Sequence, residues 1–87
     1  MNKEQLDMFT QMAKSSINEA LLNIDECKQM IEYTQNEIES MSDRDKASTK
    51  FDFHNYRLKL YTKSMQALKD KIIFIKEQYQ QMTGQSI

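Results

Sequence analysis

Apolar side chains recur every seven residues in the C-terminal part of the chain. One row is Phe51, Leu58, Met65, Ile72 and Tyr79. A second row follows three residues later and consists of His54, Tyr61, Leu68, Ile75 and Met82. Two such rows over five heptads predict a long helix whose apolar seam packs along another helix.

The N-terminal part carries a matching pair of rows. One is bulky and β-branched: Ile17, Ile24, Ile31 and Ile38. The other holds mostly small residues: Leu6, Ala13, Ala20, Cys27, Thr34 and Met41. Small side chains let two helix backbones approach closely, so this stretch is predicted to be the partner helix.

Capping residues predict where each helix begins and ends. Asn2 is a suitable N-cap for the first helix, and Ser42 and Thr49 are alternative N-caps for the second. Gly84 suits the left-handed residue just beyond the second helix. The sequence thus predicts one domain over 1–87, with a helix at about 3–41, a turn within about 42–48, a helix at about 49–83 and a tail at 84–87.

The predicted fold class is all-α: a long antiparallel helical hairpin, coiled-coil-like, that pairs into a four-helix bundle. Its register stays open between two alternatives. A late start of the second helix makes facing residue numbers sum to 92, so that Ala20 faces Ile72. An early start makes them sum to 85, so that Ala13 faces Ile72. Both alternatives match small residues to large ones.

Composition agrees with this fold and narrows the functional classes. The 87 residues include one glycine, no proline and one cysteine, which disfavours a sheet with many turns and a disulfide framework. No apolar run has the ~20 residues of a membrane span, and no secretory signal precedes the first helix. We therefore expect a cytoplasmic protein without membrane association.

Charge is divided between the two predicted helices. Residues 1–40 hold eight acidic and three basic side chains, a net charge of −5, whereas residues 41–87 hold five acidic and nine basic side chains, a net charge of +4. The whole chain has a net charge of −1. The asymmetry favours pairing of the two helices more than it adds stability, since exposed ion pairs contribute only ~0–1 kcal/mol each.

Further apolar residues fall outside the two seams and are predicted to form an interface. They are Met8, Phe9, Met12, Leu21, Leu22, Phe53, Tyr56, Leu60, Ile73 and Phe74. Three alternatives could cover these residues. They are a second copy in a four-helix bundle, another protein bound helix-in-groove, or a third helix created by a kink of the first helix near 15–16 or Asn23.

The residues that could bind a metal or take part in catalysis are expected to have structural roles instead. His54 is the only histidine, and we expect it to be a partly buried seam residue with a hydrogen-bond partner rather than a metal ligand. Cys27 is expected to be a small buried residue, because no histidine accompanies it on its helix. The acidic residues lack the Glu-x-x-His pairs of a di-metal bundle. No catalytic residue, cofactor site or metal site is predicted, and no small-molecule substrate.

Two functional hypotheses remain. The first is a non-enzymatic protein-interaction module, that is, a small adaptor, co-chaperone or regulator that binds itself, another protein or both through the apolar face. The alternative is a nucleic-acid-binding bundle that uses the basic side chains of the second helix. Those side chains are Arg57, Lys59, Lys63, Lys69, Lys71 and Lys76.

Overall fold

The chain folds as an antiparallel hairpin of two long helices, as the heptad pattern predicts. A computed structural model describes all residues from 1 to 87. It contains α1 (Lys3–Glu39), the one-turn helix α2 (Asp43–Lys46) and α3 (Thr49–Thr83), with no strand. The α1 and α3 helices pack along each other over their length, and the molecule measures 65 × 16 × 15 Å. None of the helices combines the length and the apolar character required to span a membrane.

The outer ends of the hairpin are capped by the predicted residues. The Asn2 side chain accepts a hydrogen bond from the Gln5 backbone N–H at 2.8 Å, and the Gln5 side chain accepts one from the Asn2 backbone N–H at 3.2 Å. This reciprocal capping box satisfies two donors at the start of α1. Gly84 ends α3 with φ of 71° and donates its N–H to the Gln80 carbonyl at 2.7 Å.

Both predicted starts of the second helix are used, but by different helices. Ser42 caps α2 by accepting a hydrogen bond from the Asp45 backbone N–H at 3.2 Å. Thr49 is the first residue of α3 rather than its cap, and Ser48 precedes it without a side-chain capping bond. The connection therefore contains a turn of helix, and α1 ends at Glu39, two residues before the predicted boundary.

The register lies between the two predicted alternatives, neither of which is correct. The Tyr79 ring stacks on the Phe9 ring with centroids 5.5 Å apart and planes 11° apart. The Tyr79 hydroxyl lies 2.7 Å from the Thr10 hydroxyl. Facing residue numbers therefore sum to about 88. The helical turn in the connection accounts for the offset, because helical residues advance the chain by only ~1.5 Å each.

The core is a single seam between the helices. Only seven of the 87 side chains are buried, and they are Ala13, Ile17, Ala20, Ile24, Thr34, His54 and Tyr79. All seven belong to the four heptad rows, and every other row member except Met82 is at least half-buried. Thr34 is fully buried and donates its hydroxyl to the Met30 carbonyl at 2.7 Å, so its polar group is satisfied within α1.

Candidate functional site

Large apolar side chains of α3 remain uncovered outside the seam. They form a row at seven-residue spacing that we call the outer row of α3: Phe53, Leu60, Ala67 and Phe74. Phe53, Leu60 and Phe74 are 58%, 48% and 60% exposed. Because the heptad repeat keeps residues seven apart on one side of a supercoiled helix, this row runs along one flank of the hairpin.

A row of exposed residues on α1 lies on the same side of the hairpin as the outer row of α3. Met12 of α1 and Phe74 of α3 line one groove of about 220 Å³ near the open end, together with Phe9, Ser16 and Gln78. The residues seven, 14 and 21 positions after Met12 are Glu19, Glu26 and Tyr33, and all four are exposed. We call these four residues the outer row of α1.

The groove repeats halfway along the hairpin. A second groove of about 200 Å³ is lined by Asn23, Glu26, Cys27, Met30 and Tyr61. Each of its α1 residues lies 14 positions after an α1 residue of the first groove, and Tyr61 lies 14 positions before Ile75 of that groove. The two grooves therefore lie on the same side of the hairpin, and we call this side, with the two outer rows, the groove face.

The structure brings together only some of the residues predicted for the interface. Phe9, Met12 and Phe74 share the first groove, and Phe53 and Leu60 continue the row of Phe74. Six of the predicted residues are exposed but line no groove: Met8, Leu21, Leu22, Phe53, Tyr56 and Leu60. Ile73 lines a separate cavity of about 290 Å³ on another side.

Two large apolar residues of the groove face, Met30 and Tyr33, are absent from the sequence-based set. Tyr33 is 54% exposed in the outer row of α1. Its spacing of 21 residues from Met12 could have identified it, because three heptads return to the same side of a coiled-coil helix. Phe9, in contrast, is half-buried, since its ring stacks on Tyr79.

The basic side chains of α3 are spread around the helix. Neighbours on one helix face are three or four residues apart, whereas the six predicted residues are separated by two, four, six, two and five positions. Arg57 is the half-buried member. Its guanidinium lies 5.8 Å from the ring centroids of both Phe53 and Tyr61 and donates to the Tyr61 hydroxyl at 3.3 Å. It is therefore held against the aromatic side chains of its own helix.

His54 lies in the seam near the turn, as its heptad position predicts. It is 8% exposed, and its Nδ1 is buried without a hydrogen-bond partner. The hydrogen-bond partner expected from the sequence is therefore missing from the structure. No three His, Cys, Asp or Glu side chains are arranged to hold a metal ion.

Cys27 is a free, half-buried thiol. It occupies the small-residue row of α1 and also borders the second groove. Its place beside Ala20 in that row agrees with a packing role for the side chain.

No protein-family model, curated protein or solved structure matches this chain.

Proposed function

We propose that this chain is a non-enzymatic, cytoplasmic protein-interaction module that binds a protein partner through the groove face. The observation that carries the proposal is the outer row of α3, where Phe53, Leu60 and Phe74 are each about half exposed or more. Met12 lines the same groove as Phe74, and large apolar residues exposed together on one side are typical of interaction surfaces. Aromatic residues are also enriched among the anchors that supply most of the binding energy.

The shape of the molecule supports the same proposal. The hairpin exposes 6690 Å², whereas a compact monomer of its mass exposes about 5,400 Å². Its radius of gyration is 19.1 Å, against ~12 Å for a compact domain of this length. A two-helix layer covers one stripe of each helix, and a partner helix on the groove face would cover a second.

A role as a small adaptor, co-chaperone or regulator follows from such a surface, with a second copy or another protein as the partner. The dispersed lysines of α3 favour protein over nucleic acid, because phosphate contacts from one helix require cations along one side. The acidic α1 alongside would also weaken the field of those lysines.

A photo-cross-linking amino acid at the groove face tests the proposal in cells that express the chain. With p-benzoylphenylalanine at Leu60, we expect a covalent adduct with a protein, either a second copy or another chain. The matched control carries the same amino acid at Lys69, which is exposed on α3 and, nine residues after Leu60, lies about half a turn around the helix from it. Adducts at neither position, or equally at both, would contradict the proposal.

A further inference from the structure

We infer that the groove face is covered by a second copy of this chain, and that the acidic α1 of each copy lies against the basic α3 of the other. The inference rests on the proposed function and names the partner and its orientation. In this dimer the two-fold axis runs parallel to the helices. All neighbouring helices are then antiparallel, as in an up-down four-helix bundle.

The groove face is large enough for a stable dimer. The molecule measures 65 Å by 16 Å along its two longest axes, so one whole side of the hairpin has an area on the order of 1,000 Å², and a standard interface buries ~800 Å² per partner. The hairpin also exposes about 1,300 Å² more than a compact monomer of its mass. A second hairpin seated face to face would therefore remove about the surface that this chain has in excess.

Charge decides between the two ways in which two identical hairpins can stack. If the axis crosses the helices, α1 lies on the other α1, and a net charge of −5 meets −5 while +4 meets +4. If the axis runs along the helices, the acidic helix meets the basic helix twice. Like charges juxtaposed across an interface are costly and exclude wrong arrangements, so the second stacking is favoured.

Individual residues of the outer rows agree with that choice. A rotation about the long axis keeps each residue at its own level, so the register of about 88 also holds between copies. Met12 then lies over Phe74 of the other copy, and Tyr33 lies over Phe53, which places apolar on apolar at both ends. Between them Glu19 lies over Ala67, with Lys71 one helical turn away, and Glu26 lies over Leu60. In the rejected stacking, Glu19 would instead face Glu26.

Site-specific cross-linking of the purified protein distinguishes the two stackings. All variants carry Cys27→Ala, which suits a row that already contains Ala13 and Ala20. A Glu19→Cys chain labelled with ¹⁵N is mixed with an unlabelled Ala67→Cys chain and treated with a short bis-maleimide. These substitutions keep the apolar residues Met12, Tyr33, Phe53 and Phe74. Ala67 lies within about 3 Å of the level of Glu19 along the axis.

A second mixture combines the labelled Glu19→Cys chain with an unlabelled Glu26→Cys chain. We expect the mixed-isotope dimer of Glu19→Cys with Ala67→Cys to form in roughly tenfold or greater excess over that of Glu19→Cys with Glu26→Cys, because proximity raises the effective concentration of the thiols. In the inferred dimer, positions 19 and 26 lie on diagonally opposite helices about 10 Å apart along the axis. A dominant 19–26 product would overturn the stacking. Absence of any cross-linked dimer, with helicity retained by circular dichroism, would overturn the second copy as partner.

The outcome is separable from that of the proposed function. An adduct at Leu60 with a different protein in cells, together with no cross-linked dimer of the purified chain, would overturn this inference and leave the interaction module standing. Absence of adducts in cells would remove the proposed function itself.

Discussion

The hydrogen bond between Thr10 and Tyr79 allows a quantitative test of how the hairpin is held at its open end. It is the only hydrogen bond between α1 and α3. The Thr10 Oγ1 lies 2.8 Å from the Leu6 carbonyl oxygen, which can only accept a hydrogen bond. The single proton of the Thr10 hydroxyl is therefore donated to Leu6. The Tyr79 hydroxyl must therefore donate to Thr10, and Tyr79 is 3% exposed.

This geometry predicts unequal effects for the two partners. Tyr79→Phe removes the donor and keeps the ring stacked on Phe9, so we expect a loss of ~0.5–1.5 kcal/mol in the free energy of unfolding. Thr10→Val leaves the buried tyrosine hydroxyl without an acceptor, which costs ~1–3 kcal/mol. Valine and threonine are both β-branched with similar helix propensity, so the change reports mainly on the hydroxyl.

The double variant completes the test. Once Tyr79 is phenylalanine, no buried donor is left unpaired, so adding Thr10→Val should change the free energy of unfolding by only a few tenths of a kcal/mol. The four proteins are compared by urea unfolding followed by circular dichroism, at one protein concentration because association shifts apparent stability. Additive effects of the two substitutions, or a smaller effect of Thr10→Val than of Tyr79→Phe, would refute the assigned donor.

Three further substitutions probe the seam, the helix end and the buried histidine. Ile24→Ala should lower the free energy of unfolding by ~2–4 kcal/mol because Ile24 is buried in the seam. The control Leu22→Ala changes an exposed residue nearby and should lower it by under ~1 kcal/mol. Equal losses in urea unfolding would contradict the burial of Ile24 between the helices. Gly84→Ala should cost ~1 kcal/mol, because a Cβ at φ of 71° is strained although it meets no atom within 4 Å; an unchanged melting temperature would argue against the left-handed cap. His54→Leu should be neutral or stabilising by up to ~1 kcal/mol, because it removes a buried nitrogen that has no partner, and a clear drop in the urea midpoint would mean that the imidazole is satisfied in solution.

Much of the hairpin could be predicted because heptad spacing reports directly on burial. Residues such as Ile17, Ile24 and Tyr79 recur at the period that places them on one side of a helix, and the structure buries them. Asn2 and Gly84 were identifiable because capping depends on a few neighbouring residues. These features are local or periodic, so a single sequence contains them.

The register could not be predicted, because it depends on the path of the chain through 40–48. Ser42 and Thr49 were each acceptable helix starts, and the structure places Ser42 at the start of one helix and Thr49 at the start of another. The sequence analysis treats these starts as alternatives, whereas the connection uses both, and the facing residue numbers then sum to a value between the two predicted ones. Small-to-large matching of the seam did not decide the offset either, since both alternatives satisfied it.

The candidate site was only partly predictable for a related reason. The sequence shows which apolar residues lie off the seam, but not which flank of α1 and which flank of α3 share one side of the hairpin. Met12 and Phe74 line a common groove, whereas Ile73, adjacent to Phe74 in sequence, lines a cavity on another side. The unpaired Nδ1 of His54 and the contacts of Arg57 likewise depend on side-chain placement.

The solution mass of the purified chain tests the central claim, that the groove face is an interface between two copies. Light scattering behind a sizing column, over a concentration series, should give about 21 kDa, twice the 10.4 kDa of one chain. Leu60→Asp with Phe74→Asp should give about 10.4 kDa with helicity retained, whereas the charge-matched control Lys59→Gln with Lys63→Gln should remain dimeric. A wild-type mass of 10.4 kDa at every concentration, or an Asp variant that stays dimeric, would contradict the claim.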